Sequence, residues 1–177
     1  MADVPVSFHR APGAAAISTP DLLHGLTWAT ALGAGAVGGV FFAFSTFVMK
    51  ALEDLPPAQG LRAMQSINVA APNPLFMTAL FGTAVGCFVL AGVALRHPER
   101  PGSTLTLVAA ACYLVVIGLT AAYHVPHNDA LAAVDPRSAG AAAAWHDYAG
   151  PWTLLNHVRT VGSLAAAGLL TWAAKLD

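Results

Sequence analysis

Arg159 is the residue in this chain with the least reason to be where it is unless it does chemistry. It follows Trp152 by seven positions, about 10 Å of helix, inside an apolar stretch that continues to Ala174. A guanidinium at that depth costs at least a few kcal/mol on insertion scales, so it has to face a protein interior or a wet cavity. Trp152, Asn156, Arg159 and Ser163 fall at i, i+4, i+7 and i+11, one face of one helix. An amide, a guanidinium and a hydroxyl in line make a donor-rich stripe. No acid lies within the apolar segments. The partner of Arg159 is therefore an acid of the preceding connection (Asp129 or Asp147), backbone carbonyls, or an anionic ligand. The alternative is a side chain that simply snorkels to the membrane interface.

A second group of reactive types precedes it. Tyr123-His124-Val125-Pro126-His127-Asn128-Asp129 is followed by Trp145-His146-Asp147-Tyr148. Histidine carries protons near neutral pH, and His124 sits where an apolar segment ends. His124 and His127, with His146 or His157, could instead hold copper, iron or zinc, although their spacing matches no ligand signature and Pro126 interrupts it. Haem is disfavoured: His24, His124 and His157 lie near segment ends, whereas paired haem ligands face each other within helices. Asn73 stands between Pro72 and Pro74, which restrict the backbone there. It either caps the following helix or turns its amide into the same cavity.

The elements that position these residues are apolar helices. Charged residues make up 10% of the 177 positions and apolar ones 56%, with a mean hydropathy of +0.63, against roughly 25% charged in a soluble domain. Leu22–Val48, Leu75–Leu95, Ser103–Tyr123 and Trp152–Ala174 are each long enough to cross about 30 Å of hydrocarbon. The fold class expected is all-α: a single domain over 1–177, a four-transmembrane-helix bundle integral to the membrane. Ser103 is a plausible N-cap. Trp152 and Trp172, about 30 Å apart in a helix, suit the two aromatic belts. Gly35 and Gly39, like Gly82 and Gly86, have the small-residue spacing that lets helices approach in lipid.

The connections are unequal. His97–Gly102 is a tight turn, whereas Lys50–Pro74 and His124–Pro151 are long and fall on the same side of the membrane. Each has room for a short interfacial helix, expected over Pro57–Ala70 and Ser138–Tyr148. Long ordered connections usually carry function. Arg10, Arg96, Arg100 and Lys175 on the other side outnumber Lys50, Arg62 and Arg137, which favours cytoplasmic termini.

Net charge is −1 with no basic run, which leaves no nucleic-acid footprint. Met1–Pro20 has one cation, Arg10, and no continuous apolar core. It reads as a lead-in to the first span, not a cleaved signal. Cys87 and Cys112 lie inside apolar segments and read as small buried hydrophobes. The partners expected are the lipid bilayer and a small lipophilic aromatic substrate, with a homo-oligomer left open.

Together these residues resemble the anthrone-oxygenase-like family of small four-helix membrane proteins. The resemblance runs from the Gly-rich stretch Gly33–Phe44 to the last helix. Its most specific parts are Pro72-Asn73-Pro74, Asn128-Asp129-x-Leu131 and Trp152-x3-Asn156-x2-Arg159. It implies oxidation of an anthrone-type polyketide to a quinone by O2 through an enolate, with no cofactor required. On that footing His124 or His127 is the base. Arg159, Asn156 and Asn128 steady the enolate oxygen, and Trp145 and Trp152 stack on the rings. A metal-dependent redox enzyme and a non-catalytic membrane module or assembly partner are the competing classes; with no inverted repeat or broken helix, a transporter fits poorly.

Overall fold

The computed structural model describes residues 19–176, which are helical throughout apart from short turns, with no strand among them. The N-terminal lead-in with Arg10 lies outside the described residues. The first rod is α1 (Thr19–Ala43), a π-helical turn π1 (Phe44–Val48) and α2 (Met49–Glu53). Then come α3 (Pro57–Ala70), α4 (Pro74–Arg96) and α5 (Ser103–Leu119). A second π-helical turn, π2 (Thr120–His124), leads into α6 (Val125–Ala132), and α7 (Ala141–Leu176) closes the chain.

Three rods are long and apolar enough to cross a membrane: Pro20–Glu53, Pro74–Arg96 and Ser103–Ala132. Their outward faces are apolar, with Leu32, Phe42 and Phe47 exposed on the first, Phe81, Val85 and Phe88 on the second, and Val108, Leu114 and Val115 on the third. Apolar area on that scale is what lipid, not water, would cover. α1 packs against α4 and α7, and α5 packs against the same two. Ala34, Val37, Leu80, Cys87, Tyr113, Val116, Ala166 and Leu170 form the core between them. The Tyr113 hydroxyl is satisfied there by the Leu80 carbonyl at 3.1 Å.

Close approach depends, Gly86 apart, on other glycines than the spacing suggested. A Cβ on Gly38 would lie 2.8 Å from Leu164 Cδ2 and 3.2 Å from Ser163 Cβ, and one on Gly86 would run into Thr30. Gly39 and Gly82 face open space, and Gly35 makes only ordinary contact with Ala167. The four-residue pairs thus share a helix but not an interface.

The long connections are also more helical than expected. α3 covers Pro57–Ala70 as the sequence indicated. The third apolar segment does not stop at Tyr123 but continues through π2 and α6 to Ala132. Ser138–Tyr148 is not a separate interfacial helix: α7 starts at Ala141 and runs unbroken through Pro151. Proline removes one helical hydrogen bond and crowds the preceding turn. Packing outweighs that here, because Trp145, Tyr148, Ala149 and Trp152 continue one buried face across Pro151 and pack with Met49, Leu52, Leu61 and Met64. At the opposite end Ser103 is the first residue of α5, not its cap, and its hydroxyl closes the tight turn by donating to the His97 carbonyl at 2.7 Å.

Candidate active site

α7 supplies the polar side of the site. Trp152, Asn156, Arg159, Thr160 and Ser163 are all buried, while Leu154, Val158, Val161 and Leu164 face outward. Trp152 therefore turns inward, whereas Trp172, 62% exposed, suits a place at the membrane surface. Asn156, fully buried, donates to the Phe41 carbonyl and to Ser45 Oγ, both at 2.8 Å. Its Oδ1 accepts from Arg159 Nη2 at 2.8 Å. Ser45 also shares a hydrogen bond of 2.9 Å with Thr160. Phe41 and Ser45 flank the start of π1, where one extra residue per turn disturbs the regular ladder, as is common at functional sites.

Arg159, 5% exposed, lies over two aromatic faces, 4.2 Å from the Phe41 ring centroid and 5.2 Å from that of Trp152. Beyond Asn156 it has a long contact of 3.5 Å to Thr120 Oγ1. Its Nε is buried without a partner. Among the described residues no carboxylate pairs with it, and Asp129 and Asp147 are both exposed. The guanidinium is positioned by an amide and two π-faces and is left electrically uncompensated.

His124 ends π2 and is 1% exposed, edge-on to Trp152 at 5.2 Å. Its Nδ1 lies 3.1 Å from the Leu119 carbonyl. A carbonyl can only accept, so Nδ1 carries the hydrogen and Nε2 keeps a lone pair in the neutral ring. That Nε2 is buried and has no partner. Asn128, one turn further, accepts from Tyr148 Oη at 2.8 Å and Trp152 Nε1 at 3.0 Å through the same Oδ1. Those two donors fix the amide and leave its NH2 as the group it can offer. The Tyr148 hydroxyl can serve either way, and here it is the donor to Asn128.

Arg159, His124, Asn128 and Trp152 line one cavity of about 140 Å³ together with Asn68, Thr120 and apolar walls from α1, α3 and α4. Asn68 Nδ2 is buried without a partner. α3 and α6 roof this end of the molecule and are tied together by Gln65 Nε2, which donates to the Leu131 and Val134 carbonyls at 2.9 Å each. Other expected residues lie elsewhere. Asn156 stands behind Arg159 and positions it. Trp145 is buried under Gly60 in the roof and does not line the cavity. Asn73 caps α4, accepting from Phe76 N at 3.0 Å, and is exposed. His127 is exposed and stacked on Tyr123, with Nδ1 donating to the Tyr123 carbonyl at 2.8 Å. His146 and His157 are exposed too, on faces of α7 away from the cavity. Among the described residues no three His, Cys, Asp or Glu side chains come together as a metal ligand set.

Several contributors had little sequence signal. Ser45, Thr120 and Thr160 are hydroxyls inside apolar segments, a hint that those faces turn inward. Asn68 stood out only as an amide near the end of α3, and Phe41 looked like any apolar residue.

No curated protein and no solved structure matches the chain. The sequence model of one family, described as Anthrone oxygenase, matches residues 73–169. That stretch runs from the Asn73 cap past Arg159 and Ser163, holds His124, Asn128, Trp152 and Asn156, and leaves Gly33–Phe44 outside it. Covering more than half of the chain, the match shows that this all-helical protein belongs to the anthrone oxygenase family.

Proposed function

We propose that the protein is a membrane-embedded oxygenase that converts the activated CH2 of a lipophilic anthrone-type ketone to a carbonyl with O2. The observation that carries this reading is a single cavity lined by a buried guanidinium with no carboxylate and a buried imidazole with a free Nε2. A base and an uncompensated cation are what enolate formation requires.

His124 Nε2 takes a proton from the CH2. The electron pair delocalises onto the ketone oxygen, where Arg159 and the NH2 of Asn128 stabilise it. The electron-rich enolate carbon then reduces O2, forming a C–O bond. His124 returns its proton to the peroxide, and loss of the second C–H proton with cleavage of O–O leaves a C=O and one water. One ketone and one O2 give one diketone and one H2O. The substrate supplies all the electrons, so the step balances without a cofactor. His127, exposed and stacked on Tyr123, is less suited to the base role than His124.

In this reading α7 is the fourth span. Its mean hydropathy is lowered by Asn156, Arg159, Thr160 and Ser163, yet all four face inward, while Leu154, Val158, Val161, Leu164 and Trp172 face outward alongside one polar side chain, His157. The protein is then one four-span domain with cytoplasmic termini, its partners being the bilayer and the aromatic substrate.

The test is oxygen uptake by purified protein in lipid nanodiscs supplied with a tricyclic anthrone, using ¹⁸O2. The expected result is one O2 consumed per quinone formed, with one labelled oxygen in the product, at a rate well above the protein-free reaction. Uptake no faster than the protein-free control would overturn the assignment.

A further inference from the structure

The inner cavity is too small for the substrate that the proposed reaction needs. At about 140 Å³ it compares with an apolar cavity of about 150 Å³ that holds one benzene ring. A fused three-ring ketone cannot be enclosed there. Beside it lies an open groove of about 620 Å³ lined by α1, the end of α3 and the start of α4. The two spaces share Val40, Phe44, Ile67, Ala71 and Phe76 as walls, so they adjoin across those five side chains.

The groove exists because its walls are small. Ala36 from α1, Ala70 and Ala71 from the end of α3, and Ala79 from α4 line it. It faces the outside of the rods, since Val40 is exposed and Leu75 is 82% exposed at its edge. Phe44 and Phe76 stand where it meets the inner cavity. Phe44 also packs on Trp152 at 5.7 Å and Phe76 on Phe41 at 6.3 Å, so aromatic faces continue from the groove to Arg159.

We propose that this groove is the outer half of the binding site and the route of entry from the bilayer, taking a flat fused aromatic ketone edge-first between α1 and α4. One ring and its carbonyl occupy the inner cavity, and the remaining rings lie along the alanine-lined groove. The placement of the reacting ring rests on the oxygenase reading; the groove as an aromatic-binding surface does not depend on turnover. A lipid acyl chain would fill the groove equally well by size. It would leave the unpartnered donors Asn68 Nδ2 and Arg159 Nε unanswered, whereas a ketone oxygen can accept from donors at the inner end.

The test uses Ala36, which is exposed and lines the groove but not the inner cavity that holds Arg159 and His124. Ala36→Phe fills the groove, and Ala36→Ser keeps it open. Binding is read in nanodiscs as saturable quenching of tryptophan emission, with anthraquinone as the three-ring probe and acetophenone as the one-ring probe. Ala36→Phe should weaken anthraquinone binding at least tenfold while acetophenone binding stays within twofold of wild type, and Ala36→Ser should match wild type for both. Unchanged anthraquinone binding in Ala36→Phe, or equal loss of both probes, would overturn the proposal. So would quenching by chain-brominated phospholipid that anthraquinone fails to displace, which would assign the groove to an acyl chain. Loss of oxygen uptake with normal probe binding would strike only the oxygenase reading, so the two failures are distinguishable.

Discussion

Replacing Arg159 by methionine separates the catalytic role of the guanidinium from any role in holding the fold. Methionine keeps most of the length and apolar volume of the side chain while removing the charge. The stability change is the sum of opposing effects. The variant loses one charge-assisted hydrogen bond to Asn156, made at 2.8 Å and worth about 1.5–3 kcal/mol. It also loses the contacts to the Phe41 and Trp152 rings, about 2 kcal/mol when desolvated. Against these, a buried cation without a counter-ion carries a desolvation penalty of several kcal/mol, which disappears with the charge. The sum lies near zero, and the thermal midpoint in nanodiscs should stay within a few degrees of wild type. Turnover should behave differently. Removing one preorganised donor from an oxyanion site costs about 10²–10³ in kcat, and here the donor also supplies the only positive charge lining the cavity. Arg159→Lys should recover part of the rate, because it restores the charge but not the planar fork. Oxygen consumption and quinone absorbance give the rates. A methionine variant with kcat within threefold of wild type, and its midpoint preserved, would refute enolate stabilisation by Arg159.

Four further outcomes follow from the same geometry. His124→Gln keeps a polar side chain but removes the base, so kcat should fall about 10²–10⁴-fold with the midpoint little changed, and added imidazole should restore part of the rate. Asn156→Ala removes the hydrogen bonds to the Phe41 carbonyl and from Arg159 and leaves the guanidinium only its long contact to Thr120; stability should drop by about 1–3 kcal/mol, measured by denaturant unfolding in mixed micelles, and kcat should fall with it. Gly60→Val places a Cβ 2.5 Å from the Leu52 carbonyl and 3.2 Å from the Trp145 ring, which should lift α3 off the roof at a cost of about 1–3 kcal/mol and raise KM. Tyr148→Phe removes the 2.8 Å hydrogen bond to Asn128, which should cost about 0.5–1.5 kcal/mol by denaturant unfolding and lower kcat by loosening the Asn128 amide.

The apolar rods and the placement of Arg159 were legible because helices this apolar follow simple rules. Long uncharged segments become helices, and a polar stripe at helical spacing turns inward. The stripe Trp152, Asn156, Arg159 and Ser163 is buried as its periodicity required. The histidines were not separable on sequence, since His124 and His127 differ by less than one turn. What separates them is the helix phase through π2, which buries the first and leaves the second exposed. Trp145 was misleading for a related reason. Its neighbours His146, Asp147 and Tyr148 suggest a site, but Gly60 makes a slot on α3 that the indole fills, and a pairing across that distance in sequence leaves no local mark. The run through Pro151 was hidden likewise, because the packing that holds α7 helical comes from α2 and α3.

The two π turns explain why the site has its shape and why no local pattern announced it. One extra residue in a helix rotates everything after it by about 100° relative to what precedes it. In the first rod the extra residue falls at Phe44–Val48, just where the Phe41 carbonyl and Ser45 meet Asn156. In the third it falls at Thr120–His124, and the His124 imidazole donates from Nδ1 to the Leu119 carbonyl, five residues back, at 3.1 Å. Both widenings therefore lie beside the same stretch of α7, and each is partnered by a side chain of the site. The hydrogen bonds that hold the candidate site together are made at the two places where the helical backbone is irregular. Removing Asn156 thus threatens the first π turn as well as Arg159, whereas removing the Arg159 charge leaves the Asn156 bonds to Phe41 and Ser45 intact. Stability should follow Asn156 and turnover should follow Arg159, although the two side chains touch.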